Sequence, residues 1–284
     1  MSGMKIIVRG FLLVLGLSAA LAPSTPAQQA SIAFVAQATP SDGLQEPVRG
    51  FPFYLLDKSF VEIGKEASAM YPKPDMDAFI AKLDVSPELK AWMKKNETVS
   101  LTGPDFTKKL RADDILAVPE FKTSYMDRNA GDQSADFPKS KAKPADQKKD
   151  PAKFAKMTAD YVEAIRHYIE LHPASMDQVD LGLADVDPSP KWTALLGSRL
   201  REIHQRTLDL AQSNYLVARA ETDLQGQGFI RGIAPGNYWL STLDVPAIVG
   251  DARPRWDIPV ALKPGEMKYI ALSNSNSVRL QASQ

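Results

Sequence analysis

Histidines are the side chains in this sequence with the widest chemical range near neutral pH. His167 and His172 lie five residues apart, Glu163 shortly precedes them, and His204 comes later in the chain. Two histidines and a carboxylate can hold zinc, but zinc-binding histidines on one helix are normally four residues apart, as in H-E-x-x-H. The actual spacing puts His167 and His172 on different faces of a helix. We therefore predict solvated or helix-capping histidines, with a metal site as the alternative.

Aspartates form a second cluster, in a segment that also contains Gly182. These acids are Asp177, Asp180, Asp185 and Asp187. Calcium sites are built from several oxygen ligands around a glycine-bearing loop, so the composition of the segment fits calcium. The spacing of the acids matches no EF-hand pattern, however, and aspartate is also common in loops and helix caps. We predict loop and capping acids, and keep calcium binding as the alternative.

Aromatic side chains are a third group, because a ring can present a large flat surface to a carbohydrate. Trp239, Trp256 and Tyr238, in the C-terminal part of the chain, are the candidate ligand-facing aromatics. Trp192 begins an apolar helical stripe, which favours a core position. Trp239 alternates with its neighbours in a predicted strand, which also fits a core role. The same residues therefore support either a glycan-binding face or a hydrophobic core.

The motifs of common enzyme and nucleotide sites are missing from the sequence. There is no cysteine, which excludes disulfides, thiolate zinc sites and a cysteine nucleophile. There is also no G-x-S-x-G, P-loop or G-x-G-x-x-G segment. The 34 basic and 34 acidic residues cancel, so no net field draws nucleic acid to the protein. We assign no catalytic residue, no cofactor and no metal, and we expect no nucleic-acid partner.

The N-terminal stretch has the composition of a signal peptide. Lys5 and Arg9 provide a positive region, and the apolar run Phe11–Leu21 follows. A transmembrane helix needs about 20 apolar residues, so this run is too short for one. We predict cleavage after Ala27, with an uncleaved anchor as the alternative. No later segment is apolar enough to span a bilayer, so we expect a mature protein without a transmembrane segment, in the periplasm or outside the cell.

Two strands are predicted at the start of the mature chain. Ser31–Ala38 is a short apolar run, and Pro47–Leu56 has apolar residues at nearly every second position. Proline cannot donate to a strand ladder, so Pro52 predicts an edge strand or a bulge at that position.

Helical periodicity occupies residues 70–213, although prolines cut its first half into short pieces. The clearest helix is Pro151–Leu171, whose apolar residues recur at helical spacing and which Asp150 can cap. A second long helix is predicted at 192–212. Residues 129–150 are rich in lysine and hold one large apolar residue, so they are predicted to form a disordered loop.

From residue 214 the pattern changes to short strands separated by glycine and proline turns, which is typical of an antiparallel sandwich. Residues 220–238 have the sequence AETDLQGQGFIRGIAPGNY. This stretch resembles the TD-x-x-G-x-F-x-x-x-x-x-P-G-x-Y pattern of carboxypeptidase regulatory-like domains, which are transthyretin-like sandwiches related to Cna B-type repeats. The resemblance extends roughly over residues 214–275 of the 284 in the chain.

The resemblance implies roles for the residues of the motif. Asp223 and Gly226 would form a tight turn between two strands, and Pro235-Gly236 would form the next turn. Phe229 would point into the core, and Tyr238 would begin the strand that packs beside it. One departure is that the turn after Asp223 holds an extra residue.

A second departure from the family pattern shapes the predicted organisation. The family's domains begin with a strand pair just before the motif, whereas here a long helical segment intervenes. We therefore predict an α+β protein, an antiparallel transthyretin-like β-sandwich with a large helical insertion. The predicted segments are a signal peptide (1–27), the first strands (28–69), the insertion (70–213) and the remaining strands (214–284).

The resemblance also ranks the functions. Domains of this family are normally noncatalytic, and act as structural or binding modules. The first hypothesis is an exported, noncatalytic module that binds a protein or another component of the cell envelope. The alternatives are a carbohydrate-binding module, with a glycan as partner, and a secreted hydrolase with its site between the sandwich and the helices.

Overall fold

The computed structural model describes residues 28–41, 43–129 and 136–278. The chain begins with strands β1 (Ala30–Ala38), β2 (Glu46–Pro47) and β3 (Pro52–Leu56). The helices that follow are α1 (Phe60–Met70), α2 (Met76–Ala81), α3 (Pro87–Lys95), α4 (Gly103–Lys109), α5 (Ala112–Ala117), α6 (Pro119–Asn129), α7 (Pro144–Lys149), α8 (Pro151–Leu171) and α9 (Ser189–Ser213). The chain then returns to strands β4 (Leu216–Glu221), β5 (Gln227–Ile233), β6 (Gly236–Ser241), β7 (Asp257–Leu262) and β8 (Met267–Leu272). The predicted signal peptide, residues 1–27, lies outside the described residues.

Strands from both ends of the chain pair with each other. In the first sheet, β1 is central, with β5 antiparallel on one side and β8 parallel on the other, and β2 pairs with the last residues of β1. The second sheet has the order β4-β3-β6-β7 and is antiparallel throughout. The α+β fold class, a sandwich with a helical insertion, is therefore confirmed. The parallel β1–β8 pair is the one departure from the antiparallel pattern in the described strands.

The helical residues leave the sandwich and return to it at one point. The backbone N–H of Asp57 donates to the carbonyl of Tyr215, at 3.1 Å. Two compact units result, a sandwich unit of residues up to Phe60 and from Tyr215, and a helical unit of Val61–Asn214. The segment boundaries at residues 70 and 213 stay predictions.

Strand β3 lies inside the second sheet, between β4 and β6, and not at the edge that Pro52 suggested. Pro52 is the first residue of the strand, a position that tolerates the missing N–H. The register is irregular between Leu55 and Leu56 instead. The prediction of an edge strand or a bulge at the proline is wrong, because its place at the start of the strand removes the conflict.

The two sheets pack face to face around aromatic side chains. The Phe53 ring lies 4.9 Å from that of Phe34 and 5.7 Å from that of Trp256, measured between centroids. None of the three is more than 4% exposed. Gly228 is needed in this packing, because a Cβ at that position would overlap the Phe34 ring.

Phe229 points away from this core, which corrects the expectation drawn from the resemblance. In β5 the core positions belong to Ile230 and Ile233, both 4% exposed, whereas Phe229 is 37% exposed. Successive side chains of a strand face opposite sides, so the burial of Ile230 turns Phe229 outward.

The helical unit has a core of its own. The rings of Trp92, Phe106 and Phe121 pack against one another with centroids 5.0 to 5.6 Å apart. Helix α8 begins as predicted, because the Asp150 side chain accepts the Lys153 N–H at 3.0 Å. None of the helices in the described part of the chain has the length and apolarity that a membrane span requires.

The structure places a helix and a buried ring within the segment predicted to be a disordered loop, and the disorder itself stays a prediction. Pro144–Lys149 forms α7, which starts with a proline where helices accept one. Phe137, the large apolar residue of this segment, is 6% exposed, and its ring centroid lies 5.2 Å from that of Tyr168. Residues 130–135 lie outside the described residues. One buried ring thus anchors a segment whose average composition predicts no packing.

Candidate functional site

A groove of about 860 Å³ lies on the outer face of the first sheet, and we call it the aromatic groove. Its central row crosses three strands, with Tyr269 on β8, Ala33 on β1 and Phe229 on β5. Ala33 pairs with both neighbours, so the two rings flank one methyl group. Neighbouring strands are about 4.8 Å apart, which separates the two aromatic Cα atoms by about 10 Å. The result is a slot with a small-residue floor and aromatic walls.

Strand alternation places these residues on the outer face. Ile32 and Phe34 of β1 are buried in the core, which leaves Ala33 on the opposite side. In β8, Tyr269 is 74% exposed, and its neighbour Ile270 packs against the core. The outer face therefore also carries apolar side chains, among them Ala33, Phe229 and Tyr269.

Polar groups lie beside the aromatic groove. The Arg231 guanidinium lies over the Phe229 ring, 4.6 Å from its centroid, in a cation–π contact. Glu221 and Asp223 are the carboxylates among the lining residues. The Oδ1 of Asp223 accepts two backbone N–H groups of its own turn, at 2.8 Å each. Asp223 therefore holds the turn that the motif implies, and its carboxylate is occupied by that role.

The aromatics proposed from the sequence lie elsewhere. Trp256 is 1% exposed, and its indole N–H donates to the carbonyl of Ser273 at 3.0 Å. A side chain this buried presents no surface to a ligand, so the structure assigns Trp256 to the core. Tyr238 and Trp239 are partly exposed on β6, and the Tyr238 hydroxyl donates to the carbonyl of Ala234 at 2.9 Å. None of the three lines the aromatic groove, and ligand binding by Tyr238 and Trp239 stays a prediction.

The histidines are spread over exposed positions of the helical unit. His172 is the C-cap of α8, and its backbone N–H donates to the carbonyl of Tyr168. The Nδ1 of His167 lies 4.0 Å from a carboxylate oxygen of Glu170, one turn further along α8. This bond uses the backbone and not the imidazole, so the capping role predicted for a histidine side chain stays a prediction. Within the described ranges, no group of three or more histidine, aspartate or glutamate side chains is placed to hold a metal ion.

Two of the clustered aspartates hold a neighbouring loop. Asp187 accepts the backbone N–H groups of Leu101 and Ser189, at 3.3 and 3.0 Å. It also accepts the hydroxyl groups of Thr102 and Ser189, at 3.1 and 2.9 Å. Asp180 accepts a further backbone N–H of the same loop, at 3.2 Å. The predicted role of loop and capping acids is confirmed for these two residues.

Tyr269 is the groove residue that the sequence analysis missed. The strand sequence MKYIAL has apolar residues on both faces, and periodicity alone does not show which face packs on the core. Its partner β1 also has apolar residues on both faces. Two neighbouring strands with apolar residues on both faces are the sequence pattern that could have indicated an exposed apolar face.

Comparison with known proteins adds little to these observations. No protein-family model matches the sequence, and no curated protein does. Among solved structures, the pilus backbone protein RrgB of Streptococcus pneumoniae matches with 13% identity and a TM-score of 0.19. The match covers 84% of this chain and 40% of that protein's chain. A similarity at this TM-score carries no argument about fold or function.

Proposed function

We propose that this chain is an exported, noncatalytic binding module that engages a protein of the cell envelope through the aromatic groove. The observation that carries the proposal is the row of Tyr269, Ala33 and Phe229. Tyr269 keeps 74% of its surface in water, although burying a large aromatic side chain is worth about 1.5–3 kcal/mol. Exposed apolar surface of this kind is typical of an interaction site.

The chemistry of the groove supports binding over catalysis. Its side chains are mainly apolar, and of its two carboxylates Asp223 is already bound to the backbone of its turn. A hydrolase needs an acid and a base that converge on the reacting bond. The resemblance of residues 214–275 to noncatalytic domains points in the same direction.

A protein partner suits the groove because aromatic residues, including tyrosine and phenylalanine, are enriched in protein interfaces. Arginine is enriched there as well, and Arg231 stands beside Phe229. The rings provide the apolar contact, and the rim residues Gln227 and Glu221 provide hydrogen-bonding groups at its border.

A glycan is the second candidate, because the two rings that flank Ala33 can stack on the apolar faces of sugar rings. This alternative replaces the Trp239 and Tyr238 surface suggested by the sequence with a surface made by Phe229 and Tyr269. A carbohydrate-binding module would bind soluble oligosaccharides directly, whereas a protein-binding module would not.

The test is capture of envelope proteins by immobilised residues 28–284. The wild type and a Phe229→Ala, Tyr269→Ala double variant are compared, with Ile248→Ala as a control at another exposed apolar residue, 70% exposed. We expect a defined protein that the wild type and the control retain and the double variant loses at least tenfold. Equal capture by all three would contradict the proposal, and calorimetric binding of an oligosaccharide panel would favour the glycan.

Export is part of the proposal and has a separate test. We propose that cleavage after Ala27 releases the mature chain into the periplasm or medium. N-terminal sequencing of the exported protein should begin at Gln28. A chain that stays in the cytoplasm with its first residues intact would contradict the export proposal.

A further inference from the structure

Among the described residues, one edge of strand β8, beside the aromatic groove, pairs with no other strand. β8 pairs with β1 in a parallel ladder, in which alternate residues of a strand turn their backbone groups to the same neighbour. The Ser31 N–H donates to the carbonyl of Glu266 at 2.9 Å, which fixes the even-numbered residues of β8 as those that bond β1. The N–H and C=O groups of Met267 and Tyr269 therefore point away from the sheet, as does the N–H of Ala271.

The edge ends at a specific cap. The carbonyl of Ala271 also points outward, and the Asn276 side-chain amide donates to it at 2.8 Å. Among the described residues, no backbone or side-chain hydrogen bond reaches the other five outward groups. The open part of the edge thus spans Met267 to Ala271 and carries three donors and two acceptors.

The other edges of the two described sheets are better protected. β7 contains Pro259, and β4 carries the charged residues Arg219 and Glu221. β5 carries Arg231 and pairs with β1 through a register shift. β8 has no proline and no bulge, and its one charge, Lys268, is on the core side and pairs with Glu266 at 3.6 Å. Protection by proline, bulge or charge is the usual way to prevent strand addition, and β8 has the least of it.

We propose that an extended segment of the partner protein adds to β8 as a further strand, so that one of its apolar side chains packs beside Tyr269. This inference rests on the proposed function and names the kind of partner. Only an extended polypeptide presents donors and acceptors at the two-residue period of the β8 edge. The aromatic groove then supplies the pocket beside the added strand, as in other cases of strand addition.

The test uses two variants that remove different parts of the site. Ala271→Pro removes an outward N–H and leaves both rings in place, and proline is tolerated where an edge N–H faces solvent. Tyr269→Ala removes a ring and leaves every backbone group. Peptides are selected from a displayed library of random 12-residue sequences on wild-type residues 28–284, and their Kd values are measured for both variants. We expect each variant to weaken binding at least tenfold, with Ile248→Ala unchanged.

The outcomes separate this inference from the proposed function. Peptides that lose affinity for Tyr269→Ala but bind Ala271→Pro like the wild type would overturn strand addition and leave the groove as the binding site. Peptides that bind Tyr269→Ala like the wild type would overturn the role of the groove. A selection that yields no peptide sensitive to Ala271→Pro counts against strand addition. If the wild type is a dimer and Ala271→Pro dissociates it, the β8 edge pairs with a second copy of this chain. That result would overturn the assignment of a different partner protein.

Amide hydrogen exchange gives a readout that does not depend on how well the proline variant folds. In the free wild type, the N–H groups of Met267, Tyr269 and Ala271 should exchange fast, and those of Lys268 and Ile270 slowly, because only the latter bond β1. Bound peptide should slow exchange at Tyr269 and its two odd-numbered neighbours at least tenfold. Unchanged exchange there on saturation with peptide would overturn the inference.

Discussion

The acidic loop of the helical unit and the outer face of the first sheet differ in how the protein uses their functional groups. In the acidic loop, Asp187 accepts four hydrogen bonds from three residues, and Asp180 accepts one more. On the outer face, Tyr269 is 74% exposed, and no strand in the described part of the chain pairs with the edge beside it. The aspartates of the first cluster are hydrogen-bonded within the fold, whereas the second cluster remains exposed, and it is there that we propose a partner binds.

This difference distinguishes a cluster whose groups bond within the fold from one that we propose as a binding site. Aspartate is a residue type that binds cations, but the carboxylate oxygens of Asp180 and Asp187 already accept hydrogen bonds from the protein. A cation would have to displace those donors. The residues of the aromatic groove have ordinary types, yet the fold leaves their surface unused. The proposed function therefore rests on unused bonding capacity and not on residue type.

The largest loss of stability is expected for Trp256→Ala, in the core of the sandwich. The indole packs on Phe53 and donates to the Ser273 carbonyl, so its loss removes both packing and a hydrogen bond. We expect the free energy of unfolding to fall by about 3–5 kcal/mol, measured by chemical denaturation. Partner binding at temperatures where the variant is folded should be unchanged. A stable variant that loses binding would restore Trp256 as a ligand-facing residue.

A smaller loss is expected for Asp187→Ala, which leaves the donors of the loop without their acceptor. Leaving buried groups unpaired costs about 1–3 kcal/mol, and because these bonds are partly buried we expect a destabilisation near the lower end of that range. The exposed neighbour Asp185 provides the control, because Asp185→Ala should change stability by less than about 0.5 kcal/mol. If added calcium stabilises the wild type and not Asp187→Ala, the loop is a cation site after all.

Tyr269→Ala should have little effect on stability and a large effect on partner binding. Because the ring is largely in water, its removal should change the free energy of unfolding by less than about 0.5 kcal/mol. Capture of the envelope partner should nevertheless fall at least tenfold. A destabilisation as large as that of Trp256→Ala would show that the ring supports the fold, and would remove the contrast between the two faces.

The smallest effect concerns the turn before β8. The Lys263 N–H donates to Glu266 at 2.8 Å, and this bond, aided by the Lys268 charge, holds the pKa of Glu266 below its ordinary value of 4.5. Because the pKa of Glu266 is lower in the folded protein than in the unfolded chain, its ionised carboxylate stabilises the fold at pH values above the ordinary pKa. This stabilisation is lost as the pH falls through the pKa of the folded state. Glu266→Gln should therefore be less stable than the wild type at pH 6, and the difference should shrink toward pH 3. A difference independent of pH would contradict this role.

The sequence was sufficient for the features that depend on local chemistry. Asp150 caps α8 and Asp223 holds the turn before β5, because both roles need only a short polar side chain at the right offset. The sequence was insufficient where the position of a residue depends on which face of a strand packs on the core or on where the strand begins. Phe229 faces outward because Ile230 takes the core position, and Pro52 is tolerated because it begins β3.

The site itself was the least predictable part. Tyr269 and Phe229 lie on either side of Ala33 only because β1 pairs with β5 on one side and with β8 on the other, over long distances in the chain. No short-range pattern contains that pairing. The burial of Phe137 could not be predicted either. A single aromatic ring hardly alters the average composition of its segment, and that composition predicts a disordered loop.

The most direct test of the aromatic groove as a binding site is to fill its floor. The chain has no cysteine, so Ala33→Cys can be modified at one place with a bulky maleimide. The unmodified variant should bind the captured partner like the wild type, and the adduct should bind at least tenfold more weakly, whereas the same adduct at Ile248→Cys should have no effect. An Ala33→Cys adduct that binds as tightly as the unmodified protein would show that the partner engages another surface.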